Sequence, residues 1–350
     1  MQRRGISEKE VDKVEEGLKR KQELPSIRMN KIVSTGSTLL DLAISGTRIK
    51  GGGIPAGIIV EISGPSSQGK TGLLISIAGS VIKNGGRVDF LDAEKRLDRE
   101  YAASLGVTIP DENYHRPRFV PEFFDFILKE WEMPEGDFIN MIAADSLDAL
   151  ITKRQEDGKD ARGQQRAKEF SEGLRLVCSS ISEKNKLIVC SNQEREGESG
   201  FTTSGGKGVG FYSSLRIRVK PHFPDKYIKR SINVTLGESK RPVEQTKTIG
   251  IRSTCTVFKN DINDNYREAP VSIIFNYGID DIVENLQYLK SSLKLTRYDI
   301  GDGTMVQSLE NAVSKVEEMG TQVVLRERVI TIWEEIQAAF KQERKPKEWR

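Results

Sequence analysis

The sequence predicts an α/β fold: a mostly parallel central sheet covered by helices, with a small N-terminal helical segment and a small C-terminal α/β or helical subdomain. Two observations carry this expectation. From about residue 33, short β-branched runs alternate with helix-sized segments, the pattern of a parallel sheet buried on both faces. One of those runs, IIVEIS (58–63), leads directly into Gly64-Pro65-Ser66-Ser67-Gln68-Gly69-Lys70-Thr71. That octapeptide fits G-x-x-x-x-G-K-[ST], and the helix-like TGLLISIAGSVIKN overlaps its end, so the pattern has the strand-loop-helix context it requires.

In chain order, residues 7–22 place Val11, Val14 and Leu18 at helical spacing in a highly charged segment. Such a helix is too polar to fold alone and docks either on its own domain or on a neighbouring subunit. The sheet is then read from IIVEIS (58–63), RVDFLDAE (87–94), FINMIAAD (138–145) and KLIVCSNQ (186–193). LRIRVK (215–220), SINVTL (231–236), STCTVF (253–258) and APVSIIFNYG (269–278) follow with little helix between them. They are expected to extend the same sheet antiparallel. Beyond about residue 283 the pattern turns helical again and ends in the basic KQERKPKEWR.

The 350 residues, 37% of them hydrophobic, suffice for one large domain or a core with small appendages. Lys and Arg total 54 against 51 Asp and Glu, a net charge of +3, so any nucleic-acid site has to come from local clustering. No run of about 18 apolar residues is present to span a bilayer. The N-terminus lacks the apolar stretch of a secretion signal. A cytoplasmic protein without membrane association is expected. Cys178, Cys190 and Cys255 form no CxxC pair and read as reduced core residues.

The octapeptide has a defined chemistry. Gly64 and Gly69 permit a tight loop whose backbone N–H groups converge on phosphate oxygens at a helix N-terminus. Lys70 would neutralise β- and γ-phosphates and the Thr71 hydroxyl would ligate Mg²⁺. FINMIAAD ends at Asp145. An Asp at a strand end is by itself more often a turn former, but beside such a loop it suits the metal's hydration shell. Glu94, after another apolar strand, is placed to orient or deprotonate an attacking water. Its alternative is a solvated residue at a helix start.

STGSTLLDLAISG, GGGIPAGIIVEISGPSSQGKT and FLDAEKRLDREYAASLGV, then AADSLDAL, LIVCSNQ, SGGKGVGFYSSLRIRV, VFKN and IIFNYGID, resemble the bacterial RecA core in order and spacing over roughly residues 33 to 280. Phage recombinases of the UvsX type share this plan. The resemblance implies residues 1–32 as an oligomerisation helix and linker, 33–282 as a RecA-like P-loop ATPase and DNA-binding core, and 283–350 as a C-terminal subdomain with a basic tail. It implies a single-stranded-DNA-dependent ATPase that uses ATP and Mg²⁺. It implies helical filaments on single-stranded DNA, pairing with homologous duplex, and single-strand-binding and mediator proteins as partners.

By that resemblance Lys70, Thr71, Glu94 and Asp145 take the roles argued above. Pro65, Ser66, Ser67, Gln68 and Gly72 complete the phosphate loop, and Gln193 senses the γ-phosphate. Asp98 and Tyr101 flank the adenine, with Tyr277 and Gly278 at another nucleotide-side position. Phe211, Arg216 and Lys259 face a neighbour's nucleotide; Asp261 stands where the family has a second lysine, and a carboxylate there would repel γ-phosphate.

Two polar, glycine-containing segments, 153–163 and 194–209, correspond to DNA loops and are expected to be disordered without ligand. Lys168, Ser171 and Arg175 share one helix face after the first. With Arg195, Gly205, Gly206 and Lys207 they are the DNA-binding candidates. Glu194, Glu196 and Glu198 weaken a simple electrostatic picture for the second loop. The competing readings are a hexameric DNA motor and a nucleotide-regulated DNA-binding paralogue without strand exchange.

Overall fold

The structure, a computed structural model, describes residues 28–131, 134, 136–159, 164–181, 185–197, 200–203, 206–235 and 242–340. The helix expected at 7–22, the basic ending of the chain and Gly205 lie outside the described residues. Among the described residues no helix is long and apolar enough to cross a membrane.

The chain opens with β1 (Arg28–Val33), α1 (Thr38–Ser45) and β2 (Ile54–Ala56), the two strands pairing antiparallel. It then runs through β3 (Ile58–Gly64), α2 (Lys70–Lys83), β4 (Val88–Asp92), α3 (Arg99–Ser104), β5 (Tyr114–His115) and α4 (Val120–Asp125). Next come β6 (Asn140–Asp145), α5 (Lys153–Glu156), α6 (Gln164–Ile181), β7 (Lys186–Gly197), β8 (Gly200–Thr203), α7 (Gly206–Tyr212) and β9 (Leu215–Pro221). The antiparallel part is β10 (Tyr227–Val234), β11 (Val243–Asn260), β12 (Arg267–Ile274) and β13 (Gly278–Ile279). The chain continues through α8 (Asp281–Ser292), β14 (Tyr298–Asp299), β15 (Met305–Val306), α9 (Leu309–Met319) and α10 (Gln322–Ala339).

The central sheet runs β13-β12-β11-β9-β3-β7-β6-β4-β5. From β9 to β5 every neighbouring pair is parallel. LRIRVK was expected to open the antiparallel extension, but β9 lies parallel to β3 and the reversal begins at β11. The crossover that makes this possible is α7, a short helix whose three glycines hid it from a propensity reading.

Strands β3, β4 and β6 are buried on both faces almost throughout, which is why they read as nearly continuous apolar runs. Along β3, Val60 and Ile62 point into a core with Leu73, Leu74, Ile77, Val189 and Ile217. Ile59 points the other way, against Phe123, Phe124, Phe170, Leu174 and Val209. The first core also takes in Leu286 of α8 and Leu325, Val329 and Ile330 of α10, so the C-terminal helices share it with α1.

Asp41 of α1 is buried and accepts hydrogen bonds from the Thr35 amide and hydroxyl, both at 2.7 Å, and from the Ser34 hydroxyl. Burial nonetheless pushes its carboxyl up from 3.8 to about 6. Because the folded state holds this proton more tightly than the unfolded chain, the contribution is fully present below pH 3.8 and lost as pH rises through about 6. At about 1.4 kcal/mol per pH unit that loss is roughly 3 kcal/mol. Chemical denaturation at pH 4 and pH 7.5 is expected to show wild type losing about that much relative to Asp41→Asn; a constant difference between the two proteins contradicts the assignment.

Candidate nucleotide site

The C-terminal ends of β3, β4, β6 and β7 lie side by side, with Gly64 of β3 in register with Gln193 of β7 and Asp92 with Asp145. At this edge the loop after β3 turns sharply. Gly64 has φ +152° and a Cβ there would lie 2.2 Å from the Val219 carbonyl oxygen; Gly69 has φ +93° and a Cβ would meet Ile273 at 2.4 Å. A side chain at Gly64 would displace β9, and one at Gly69 would strain a left-handed backbone and push the Ile273 side chain aside. The Ser253 hydroxyl of β11 donates to the Gln68 carbonyl at 2.9 Å, tying the loop to the sheet. No side chain caps α2, so its first amides remain available to an anion.

A cavity of about 260 Å³ sits over the loop, lined by Ser66, Ser67, Gly69, Lys70, Thr71, Glu94, Arg96, Asp145, Ser146 and Gln193. The Lys70 ammonium donates to the Gly64 and Pro65 carbonyls at 2.9 and 2.7 Å, the loop supplying oxygens where phosphate would. Thr71 donates to Asp145 Oδ2 at 2.7 Å, and Ser191 donates to Oδ1. The Ser146 hydroxyl donates to Glu94 Oε1 at 2.5 Å, and Arg96 lies 3.6 Å from Glu94 Oε2. Burial pushes the Lys70 ammonium down against the carboxylates of Asp145, Glu94, Glu194 and Asp148. Burial likewise pushes the Asp145 carboxyl up against the hydrogen bonds from Ser191 and Thr71.

The Thr71 hydroxyl and the Asp145 carboxylate, already in contact, are the hard oxygen donors that Mg²⁺ takes when phosphates and water complete its shell. The bound metal would supply charge neutralisation for the phosphates. Gly72, the third residue of α2, packs on Ile273 and lies outside the cavity lining.

Asp98 caps α3, accepting from the Tyr101 amide at 2.9 Å, and the Tyr101 ring is half-buried against the core. Gly278 approaches Leu105 at the end of α3, and Tyr277 beside it is exposed. Asp98 and Gly278 thus lie toward opposite ends of α3, and none of these four positions is in the cavity lining. Phe211, Arg216 and Lys259 form a second group. Lys259 is in register with Arg216 and its ammonium donates to the Gly210 and Phe211 carbonyls at 3.2 and 2.9 Å. Arg216 pairs with buried Glu61 and Phe211 is exposed. Asp261 lies 3.8 Å from Lys259, so within one chain its carboxylate faces the lysine.

Of the DNA candidates, Lys168 and Arg175 are exposed on α6, and Ser171 between them touches Gly208 of α7. Lys207 is exposed at the start of α7 and Gly206 opens that helix. Segment 194–209 is corrected from the expected disorder: its described residues form the β7–β8 hairpin and most of α7. Arg195 lies on the outgoing strand of the hairpin. Glu194 is a buried ion-pair partner of Arg218, not a free acid beside the DNA candidates. In the first segment, residues 153–156 form α5, capped by Thr152. Ser146, Ser191 and Arg96 were missed; the only sequence signal was their position beside or two residues from named strand ends.

A model of the RecA N-terminal domain matches residues 19–280. The chain belongs to the RecA family. Protein RecA of Thermus aquaticus is 30% identical over 270 residues, 75% of this chain and 72% of that protein. Protein RecA of Borrelia hermsii is 32% identical over 296 residues, 81% and 76% of the two chains. Protein RecA of Nitratiruptor is 33% identical over 264 residues, 73% and 70%. The RecA match spans the strands and loops that build the cavity.

Proposed function

We propose that this chain is a DNA-dependent ATPase recombinase acting in homologous recombination and DNA repair. It assembles with ATP and Mg²⁺ into helical filaments on single-stranded DNA and exchanges strands with a homologous duplex. The observation that carries this reading is the shared cavity of Lys70, Thr71, Glu94, Asp145 and Gln193, with Gln193 leading directly into the hairpin at the second DNA-loop position. Family membership supports recombination and repair as the setting.

In this reading Lys70 exchanges its loop carbonyls for β- and γ-phosphate oxygens, and Thr71 and Asp145 hold the metal. Glu94, fixed by Ser146, orients the attacking water and accepts its proton. Gln193 reports the γ-phosphate to the hairpin. Asp98, Tyr101, Tyr277 and Gly278 take the base side. The cluster of Phe211, Arg216 and Lys259 supports an interface that completes a neighbour's site, with Lys259 giving up backbone carbonyls for phosphate. The packing of α7 on α6 brings Lys207 toward the Lys168–Ser171–Arg175 face, which supports a continuous phosphate-contacting surface indifferent to base sequence.

Negative-stain electron microscopy with ATP and single-stranded DNA is expected to show open helical polymers; closed rings instead would turn the reading to a hexameric motor. Strand exchange is expected on homologous and not on heterologous duplexes. Filaments without exchange would leave a regulatory paralogue.

A further inference from the structure

Strands β7, β3 and β9 carry a polar ladder on one face, outside the lining of the cavity. In its lower rung Asn192 donates to Glu61 Oε1 at 2.8 Å and Arg216 donates to Glu61 Oε2. One rung nearer the cavity, Ser63 donates to Glu194 Oε1 at 3.0 Å, and Arg218 donates from Nε and Nη2 to Oε2, each at 2.7 Å. The Glu194 side chain is 5% exposed and that of Arg218 18%. A buried ion pair adds little net stability because desolvation offsets the attraction, whereas removing one partner is costly.

Its position suggests another use. Ser63 directly precedes Gly64 of the phosphate loop, and Gln193, which lines the cavity, directly precedes Glu194. Glu194 also opens the hairpin, in register with Thr203, whose hydroxyl lies 3.5 Å from Arg216. Glu194 is therefore a side-chain anchor standing between the cavity and the hairpin.

We propose that Glu194 and Arg218 form a positioning pair, a fulcrum that carries nucleotide-dependent movement at Gln193 into the β7–β8 hairpin. With Glu194 pinned to β3 and β9, displacement of Gln193 turns the backbone about the pin and redirects the chain from Arg195 onward. Without the pin, the strand end shifts sideways and the displacement is absorbed. This rests on the reading of the cavity as an ATP site.

The test is hydrogen exchange on the full chain with and without Mg²⁺ and a non-hydrolysable ATP analogue. In wild type the analogue is expected to slow exchange at the amides of the 65–71 loop that follow Pro65 and to change it by at least about threefold at 195–203. Glu194→Gln and Arg218→Gln are expected to keep the first response and lose the second. The charge-swapped double, Glu194→Arg with Arg218→Glu, is expected to regain it. Wild-type responses in both single variants overturn the proposal, as does failure of the double to recover. If a single variant loses its fold in a thermal melt, the double alone decides in the same way. A wild-type response at 65–71 without one at 195–203 overturns the proposal alone; no response at 65–71 overturns the nucleotide reading and the proposal with it.

Discussion

Lys70→Ala is expected to weaken ATP binding by a hundredfold or more and to abolish every nucleotide-dependent property of the protein. The cavity holds the carboxylates of Glu94 and Asp145, and its cations are Lys70 and Arg96. Arg96 is largely exposed and already paired with Glu94, so the half-buried positive charge left to meet phosphates is that of Lys70. Removing one partner of a buried, hydrogen-bonded charge contact typically costs about 2–5 kcal/mol, and here the remaining carboxylates would repel polyphosphate. Fluorescence titration with an ATP analogue measures it. Binding within about tenfold of wild type, less than 1.4 kcal/mol, would place the phosphates elsewhere.

Glu94→Gln is expected to separate binding from hydrolysis. Glutamine keeps the shape and can still accept the hydrogen bond that Ser146 donates to Glu94 Oε1, so the cavity stays formed and ATP binds within about threefold of wild type, under 1 kcal/mol. What is lost is the carboxylate that accepts a proton from water, an effect of about 10²–10⁴-fold on turnover. Single-turnover hydrolysis beside equilibrium binding reads both. Undiminished turnover would move the water-activating role to another group.

The phosphate loop was legible because its spacing is strict and its flanking strand and helix are strongly apolar. Asp145 and Glu94 followed because each ends or follows a buried strand. The parallel strands were legible for the same reason. The orientation of β9 was not, because it depends on the crossover through α7, and a seven-residue helix with Gly206, Gly208 and Gly210 carries no helical signature. Those glycines fit packing instead: a Cβ at Gly208 would meet Ser171 at 2.4 Å, and one at Gly210 would meet Arg216 at 2.8 Å. The β7–β8 hairpin was missed because its polar, glycine-rich strands lack the apolar alternation that marks a strand in sequence. The Ser146–Glu94, Ser191–Asp145 and Glu194–Arg218 contacts arise from sheet register between residues as many as 52 positions apart, and no local pattern announces them.

Whether the cavity hydrolyses ATP in response to DNA is open to direct measurement. The most direct measurement is Mg²⁺-dependent ATP turnover by one preparation of the full chain, with and without single-stranded DNA. Turnover is predicted to be low alone, to rise when single-stranded DNA is added, and to disappear in Lys70→Ala under both conditions. Turnover indifferent to DNA, in a protein that also forms no filaments, would contradict the account.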